Sequence, residues 1–191
     1  MKTWIAVVIV VVGLSIGGGV IVTQVSLDAD SLSVYQELTG ETEPFNSDTD
    51  NDGLLDGREL AQGTDPTDPD TDSDGLQDGL EVNQYGSNPR NSNSDNDGIE
   101  DGIEVNQYKT NPTEIDTDAD KLDDNVEINQ YDTDPTEPDT DSDGLNDFEE
   151  VSGKTSPTNP DSDTDGLQDG PEVNEYGTNP TVKDTDEDGV Q

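Results

Sequence analysis

The run Asp70-Thr71-Asp72-Ser73-Asp74-Gly75 spaces three carboxylates two residues apart and sets a glycine directly after the third. Counting Asp70 as position 1, Asp78 follows at position 9 and Glu81 at position 12. Carboxylates at positions 1, 3 and 5 converge on one point only if the backbone curls tightly around it. A glycine at position 6 supplies the positive φ that lets the chain reverse there. A ring of acidic oxygens of this kind suits a hard cation, and Ca²⁺ takes about 6–8 oxygens at ~2.3–2.6 Å. Position 7 then offers its carbonyl while its side chain turns away as an apolar contact. Position 9 coordinates directly or through water, and the glutamate at position 12 closes the shell with both oxygens. Mg²⁺ prefers six-fold geometry and keeps its water, so a loop this rich in carboxylates favours calcium.

The pattern recurs. Units opening at Asp48, Asp70, Asn93, Asp116, Asp139, Asp161 and Asp184 follow one another at intervals of 22, 23, 23, 23, 22 and 23 residues. The twelve-residue stretch opening at Asp70 reads as D-x-[DN]-x-[DN]-G-x5-E, the EF-hand-type calcium loop, and the other units follow it with the departures named below. The candidate ligands of the first two loops are Asp48, Asp50, Asp52, Asp56 and Glu59, then Asp70, Asp72, Asp74, Asp78 and Glu81. The third and fourth use Asn93, Asp95, Asp97, Asp101 and Glu104, then Asp116, Asp118, Asp120, Asp124 and Glu127. The fifth and sixth use Asp139, Asp141, Asp143, Asp147 and Glu150, then Asp161, Asp163, Asp165, Asp169 and Glu172. The seventh unit reaches Gln191 at its eighth position and contributes Asp184, Asp186 and Asp188. The carbonyls expected to ligate are those of Leu54, Leu76, Ile99, Leu122, Leu145 and Leu167. These positions hold 32 of the 48 acidic residues, a concentration that a merely solvated or salt-adapted surface does not produce. About six Ca²⁺ ions are expected, with a seventh if the last unit closes. Two loops depart from the pattern: Lys121 stands where glycine belongs, and Asn93 removes one charge. The fourth loop is therefore expected to be the weakest complete site, and the third the next.

The elements that must hold these loops are short. Proline-rich segments such as Thr64-Asp-Pro-Thr-Asp-Pro69 precede the loops and cannot be helical. After the loop, Gly79-Leu-Glu-Val-Asn-Gln-Tyr85 allows about two helical turns, ended by Gly86 as a C-cap and by a turn at Ser87-Asn-Pro89. Pro171 is compatible with a first helical turn. The apolar residues of each unit fall at position 7, position 13 (Leu60, Val82, Val105, Ile128, Val151, Val173) and position 16 (Tyr85, Tyr108, Tyr131, Tyr176). They are expected to form a small core that packs on the next unit.

Composition agrees. The 191 residues carry 48 Asp+Glu, 7 Lys+Arg and no His, for a net charge of −41, and only 26% are hydrophobic. Ordinary globular domains are about 45–50% apolar, so a conventional core is excluded, and such self-repulsion predicts disorder unless the charge is neutralised. Phosphate backbones would be repelled, which excludes nucleic acid as a partner. With no Cys, disulfides and zinc–sulfur sites are absent, and metal is the remaining staple for the fold. The carboxylates sit at metal-loop spacing rather than in acid–base pairs, so no enzyme activity is expected.

Residues 1–23 differ. Trp4–Val22 carries no charge behind Lys2 and is long enough, as a helix, to approach the ~30 Å hydrocarbon thickness. It reads either as an uncleaved N-terminal anchor inserted through residues 4–22 or as a signal peptide cut after Gly17. Both export the acidic remainder, residues 24–191. Residues 24–47 read as a linker with a short helix near Ser31–Leu38 and no assigned function.

From Asp48 to Gln191 the chain resembles the thrombospondin type 3 repeats, in the Cys-free form of prokaryotic surface proteins. The resemblance rests on Asp-Thr-Asp-Ser-Asp-Gly-Leu-Gln-Asp-Gly-x-Glu and on the following Tyr-Gly-Thr-Asn-Pro type of turn. It implies an extended calcium-stabilised tandem-repeat array of EF-hand-like loops and short helices, with little regular secondary structure, here behind one N-terminal hydrophobic helix. It also implies a calcium-rigidified extracellular stalk at the cell surface, with calcium as the principal partner and an unidentified surface or matrix partner besides. The alternative is a dockerin- or adhesin-like module that binds protein or carbohydrate through its short helices.

Overall fold

Glycine, proline and aspartate divide each repeat into loop, helical turn and turn, and the backbone follows that division. The computed structural model describes residues 14–16, 19–21, 26–33, 36–37 and 40–185. The chain resolves into two units, residues 1–71 and 72–191.

In the first unit, strands β1 (Leu14–Ile16) and β2 (Gly19–Ile21) pair antiparallel, with Leu14 opposite Ile21 and Ile16 opposite Gly19. This register leaves two residues between the strands, both glycine in the sequence, the composition of a tight hairpin loop. The expected hydrophobic helix over Trp4–Val22 is therefore corrected where that run is described: β-branched residues flanking glycines favour a hairpin there. The rest of that run, including any cleavage site or anchor, lies outside the described residues. Among the described residues no helix is long and apolar enough to cross a membrane. Helix α1 (Asp56–Gln62) follows the first loop and ends at Gly63, which adopts φ 86°.

The second unit carries five helical turns of the same design. They are α2 (Asp78–Leu80), α3 (Asp101–Ile103), α4 (Asp124–Val126), α5 (Asp147–Gly153) and α6 (Asp169–Pro171). Four of them run on into π-helical turns, Glu81–Tyr85, Glu104–Tyr108, Glu127–Tyr131 and Glu172–Tyr176. The spacing explains which. Repeats whose next loop opens 23 residues on contain the π turn, and the 22-residue repeats opening at Asp48 and Asp139 contain plain α-helix. A π turn absorbs one extra residue, so the two repeat lengths present the same ends. Each helix starts on the position-9 aspartate, where a negative charge complements the helix dipole. Gly86 caps α2 with φ 79° and donates its N–H to the Glu81 carbonyl, and Pro171 sits at φ −53° inside the first turn of α6.

Successive repeats within the second unit are stitched through position 10. The Gly102 N–H donates to Asp74 Oδ2 at 3.1 Å, Phe148 N–H to Asp120 Oδ2 at 2.9 Å, and Gly170 N–H to Asp143 Oδ2 at 2.9 Å. In the fourth repeat the Asn125 side-chain amide donates to the Asp97 carbonyl at 2.9 Å. A Cβ on Gly102 would lie 2.3 Å from the Asp74 carbonyl oxygen, so that approach requires glycine.

The apolar core is smaller than expected. Leu54, Leu76, Ile99, Leu122 and Leu145 at position 7 are buried, whereas Leu60 and Val173 at position 13 are exposed, as is Tyr176 at position 16. Tyr85, Tyr108 and Tyr131 are half-buried. The space that an ordinary domain fills with aliphatic side chains is filled here by carboxylates.

Candidate metal centres

Each loop is closed by its own acids. The position-7 N–H donates to the position-5 carboxylate, at 2.6 Å for Leu54 to Asp52 and 2.7 Å for Ile99 to Asp97 and Leu122 to Asp120. The position-6 N–H donates back to position 1, as in Gly53 to Asp48 at 3.1 Å and Gly144 to Asp139 at 2.9 Å. This curl needs two left-handed residues rather than one. Position 6 is left-handed at Gly53, Gly98, Gly144 and Gly166, and position 4 is left-handed as well, at Asn51, Asn96, Ala119, Ser142 and Thr164. Sequence reasoning missed position 4 because Asn, Ser, Ala and Thr there carry no common signature. The outcome in the first loop is that oxygens of Asp48, Asp50 and Asp52 all lie within 4.8 Å of one another.

Positions 9 and 12 close the cage from the helix. The position-12 glutamates are 0–1% exposed in all six loops. A hydroxyl six residues on serves one oxygen: Ser87 to Glu81 at 3.1 Å, Thr110 to Glu104 at 3.2 Å, Thr133 to Glu127 at 3.1 Å and Thr178 to Glu172 at 3.0 Å. The other oxygen, Oε2 of Glu81, Glu104, Glu127 and Glu172, has no hydrogen-bond partner. Position 9 is clamped by position 2 of its own loop. Asp101 Oδ1 accepts from the Ser94 N–H at 2.7 Å and Oδ2 from the Ser94 hydroxyl at 2.6 Å. Thr117 holds Asp124 and Thr140 holds Asp147 in the same way.

Spacing assigns the position-9 aspartate to its own loop. The structure groups Asp101 with Asp74 and Glu81 of the preceding repeat, their oxygens within 4.8 Å of one another. Burial raises the Asp124 carboxyl despite the bonds from Thr117, and both Asp116 of its own loop and Asp95 of the preceding loop repel it. The position-9 side chain thus stands between two loops, a relation visible only once the repeats are docked. Asp186 and Asp188 lie outside the described residues.

The electrostatics call for a cation. Burial, then the charge of the position-3 aspartate, pushes the carboxyls of Glu81, Glu104, Glu127 and Glu150 up to about 8. Burial first also lifts Asp50, Asp118 and Asp141, and Asp97 of the third loop, to about 6. Oδ2 of Asp95, Asp118, Asp141 and Asp163 is buried without a partner. Ionised groups are found in protein interiors only when paired or bound to metal. An all-oxygen donor set of this charge fits Ca²⁺.

The two irregular loops keep their shape. Asn93 Oδ1 accepts from the Asn96 N–H at 2.6 Å, so its amide replaces the carboxylate as a loop closure while lowering the charge. Lys121 adopts φ 92°, its N–H bonds Asp116 Oδ2 at 3.0 Å, and its ammonium lies 5.1 Å from the centre of the Phe148 ring. The left-handed backbone costs about 1 kcal/mol for a residue with a Cβ, and the ring returns a comparable ~0.5–1 kcal/mol. What remains is the repulsion of the ammonium for an incoming cation. Lys121→Gly is therefore expected to tighten calcium binding at the fourth loop several-fold, followed at the Leu122 amide in a calcium titration; unchanged or weaker binding there would contradict this.

Two family models match stretches of the repeat region. The family described as "Bacterial TSP3 repeat" matches residues 48–69, 70–92 and 161–183. Residues 92–158 match the "Clostridial binary toxin B/anthrax toxin PA Ca-binding domain". No curated protein matches the chain. Among solved structures, "Biofilm associated protein - BSP domain" is 46% identical over 22% of this chain and 7% of its own length, with a TM-score of 0.22. "Biofilm associated protein - B domain" is 44% identical over 24% of this chain and 11% of its own, with a TM-score of 0.23. This chain thus spans only a small part of either. The three stretches of the first match open at Asp48, Asp70 and Asp161, three of the loop starts marked by the carboxylate spacing, and at these three positions the protein carries bacterial TSP3 repeats.

Proposed function

We propose that the repeats bind Ca²⁺ and act as a calcium-ordered spacer on the outside of the cell, displaying or separating other modules. The observation that carries this is the burial of the position-9 and position-12 carboxylates, 0–1% exposed in every one of the six loops. A chain whose core consists of acids orders only when cations occupy it, so binding energy is folding energy. The match of residues 92–158 to a family of calcium-binding domains supports the choice of ion. Extracellular calcium modules work at ~10⁻⁴ to 10⁻³ M. Such sites fill outside the cell and empty in a cytosol, which makes calcium a compartment check rather than a signal. About six ions would bring the formal charge from −41 to about −29, leaving the ordered array soluble and self-repelling.

Small-angle scattering during a calcium titration tests the proposal. With EGTA the profile is expected to be that of an expanded coil, with a radius of gyration of about 45 Å or more for a chain of this length. Millimolar Ca²⁺ should convert it to a folded profile, and equal Mg²⁺ should not. Identical profiles with and without calcium would overturn it. A second reading, a partner-binding module, draws on the apolar side chains left exposed on the helical turns, Leu80, Ile103 and Val173. A calcium-independent shape would favour that reading.

A further inference from the structure

The segment before the first recognised loop repeats its geometry without its signature. Counting Ser26 as position 1, Asp28 and Asp30 fall at positions 3 and 5, Leu32 at position 7 and Glu37 at position 12. Ser26 precedes Asp48 by 22 residues, one of the two intervals of the array. Ala29 and Ser31, at positions 4 and 6, are left-handed at φ 70° and 81°, as Asn51 and Gly53 are at 64° and 97°. The Leu32 N–H donates to Asp30 Oδ1 at 2.8 Å, the bond that Leu54 makes to Asp52, and Leu32 is buried as Leu54 is. Thr42 is buried five residues after Glu37, as Thr64 is five residues after Glu59. The stitch to the next repeat is there too: a Cβ on Gly57 would lie 2.1 Å from the Asp30 carbonyl oxygen, matching Gly102 against Asp74.

Two further observations point to a ligand. Oxygens of Asp28, Asp30 and Glu37 lie within 4.8 Å of one another. Glu37 is only 1% exposed, and neither of its carboxylate oxygens has a hydrogen-bond partner; Oδ2 of Asp28 and of Asp30 is likewise buried and unpartnered. A fully enclosed carboxylate aimed into two others, with both oxygens unserved, is a ligand set rather than a solvated acidic patch.

We infer that residues 26–33 and 36–37 belong to an additional, degenerate repeat whose Asp28, Asp30 and Glu37 bind a divalent cation of the Ca²⁺ class. This rests on the reading of the regular loops as calcium sites. Ser26 supplies a hydroxyl where the regular loops have a carboxylate, and its Oγ donates to Asp28 Oδ1 at 3.3 Å. Position 9 is Val34. With three carboxylates of its own instead of five, the site should be the weakest in the chain. Its role follows from its place: it would tie the first regular repeat to the chain before it through Gly57.

Native mass spectrometry of the full chain at saturating calcium tests the inference by counting ions. Glu37→Gln and the control Glu127→Gln should each bind one ion fewer than wild type. If Glu127→Gln loses an ion and Glu37→Gln does not, the additional site is wrong and the regular loops stand. If wild type binds none, both fall together. Ser26→Asp guards against a variant that merely misfolds, because it adds the missing position-1 carboxylate at a half-buried place. It should tighten the site about tenfold, read as the calcium-dependent shift of the Leu32 amide, and an unchanged midpoint would overturn the proposal.

Discussion

In excess EGTA at pH 7.5 the protein is expected to show no cooperative thermal transition and to lose the circular dichroism of its helical turns. The magnitudes leave little room. An ionised carboxylate taken from water without compensation costs several kcal/mol even after relaxation, and the net stability of a domain is only about 5–15 kcal/mol. The six position-9 aspartates and the six position-12 glutamates are essentially inaccessible to water. Two or three of them, made either to stay ionised without a cation or to hold a proton well above their ordinary range, would exhaust the stability of an ordinary domain, and the small apolar core, essentially one Leu or Ile per repeat, cannot offset the deficit. Millimolar Ca²⁺ should restore a transition whose midpoint rises with ion concentration, as mass action requires when only the folded state binds. Calorimetry and far-ultraviolet dichroism in parallel make the check. A melting midpoint within about 3 °C of the calcium form would correspond to roughly 1 kcal/mol and would mean that the buried acids are tolerated without metal.

What could be read from the residues was whatever a single repeat contains. The carboxylates at positions 1, 3 and 5, the reversal at position 6, the burial of position 7 and the Gly86 cap are local consequences of residue type, and each is present. What could not be read depends on neighbours. The place of Asp101 beside Asp74 and Glu81 exists only because two repeats approach each other, here to backbone contact at Gly102. A glycine at position 10 looks like an ordinary helix-start residue until that contact is known. The π turns hide in a one-residue difference of period, which reads as a loop insertion and is absorbed by helix instead. The expected core of positions 7, 13 and 16 gave too much weight to apolar side chains, because the buried volume went to the acids and the metal they imply.

The segment at Ser26–Glu37 shows the same limit from the other side. Replacing aspartate by Ser26 and glycine by Ser31 erased the pattern while leaving the backbone conformations in place. Serine can enter the left-handed region at a modest cost, so geometry outlasts the motif that announces it.

Protons should stabilise this fold when calcium is absent and destabilise it when calcium is present. In the closed metal-free form Glu81, Glu104, Glu127 and Glu150 are held at about 8, by burial first and by the neighbouring acids second, against an ordinary value of 4.5. Between these values the folded chain binds more protons than the unfolded one, so stability falls as pH rises through that window and recovers as pH drops. In EGTA, acidification from pH 8 toward pH 5 is therefore expected to bring back helical dichroism and a thermal transition, with the gain levelling off near pH 4.5 once the unfolded glutamates are protonated too. With calcium bound the same oxygens are held ionised by the metal, and a proton can enter only by displacing it. Acidification should then lower the melting midpoint, so the two curves approach each other near pH 5. A metal-free sample that remains unfolded from pH 8 to pH 4.5 would show that charge on these carboxylates is not what keeps the repeats open. The assignment of calcium as the neutralising partner of the core would then lose its physical basis, because neutralisation by any route must relieve the same repulsion.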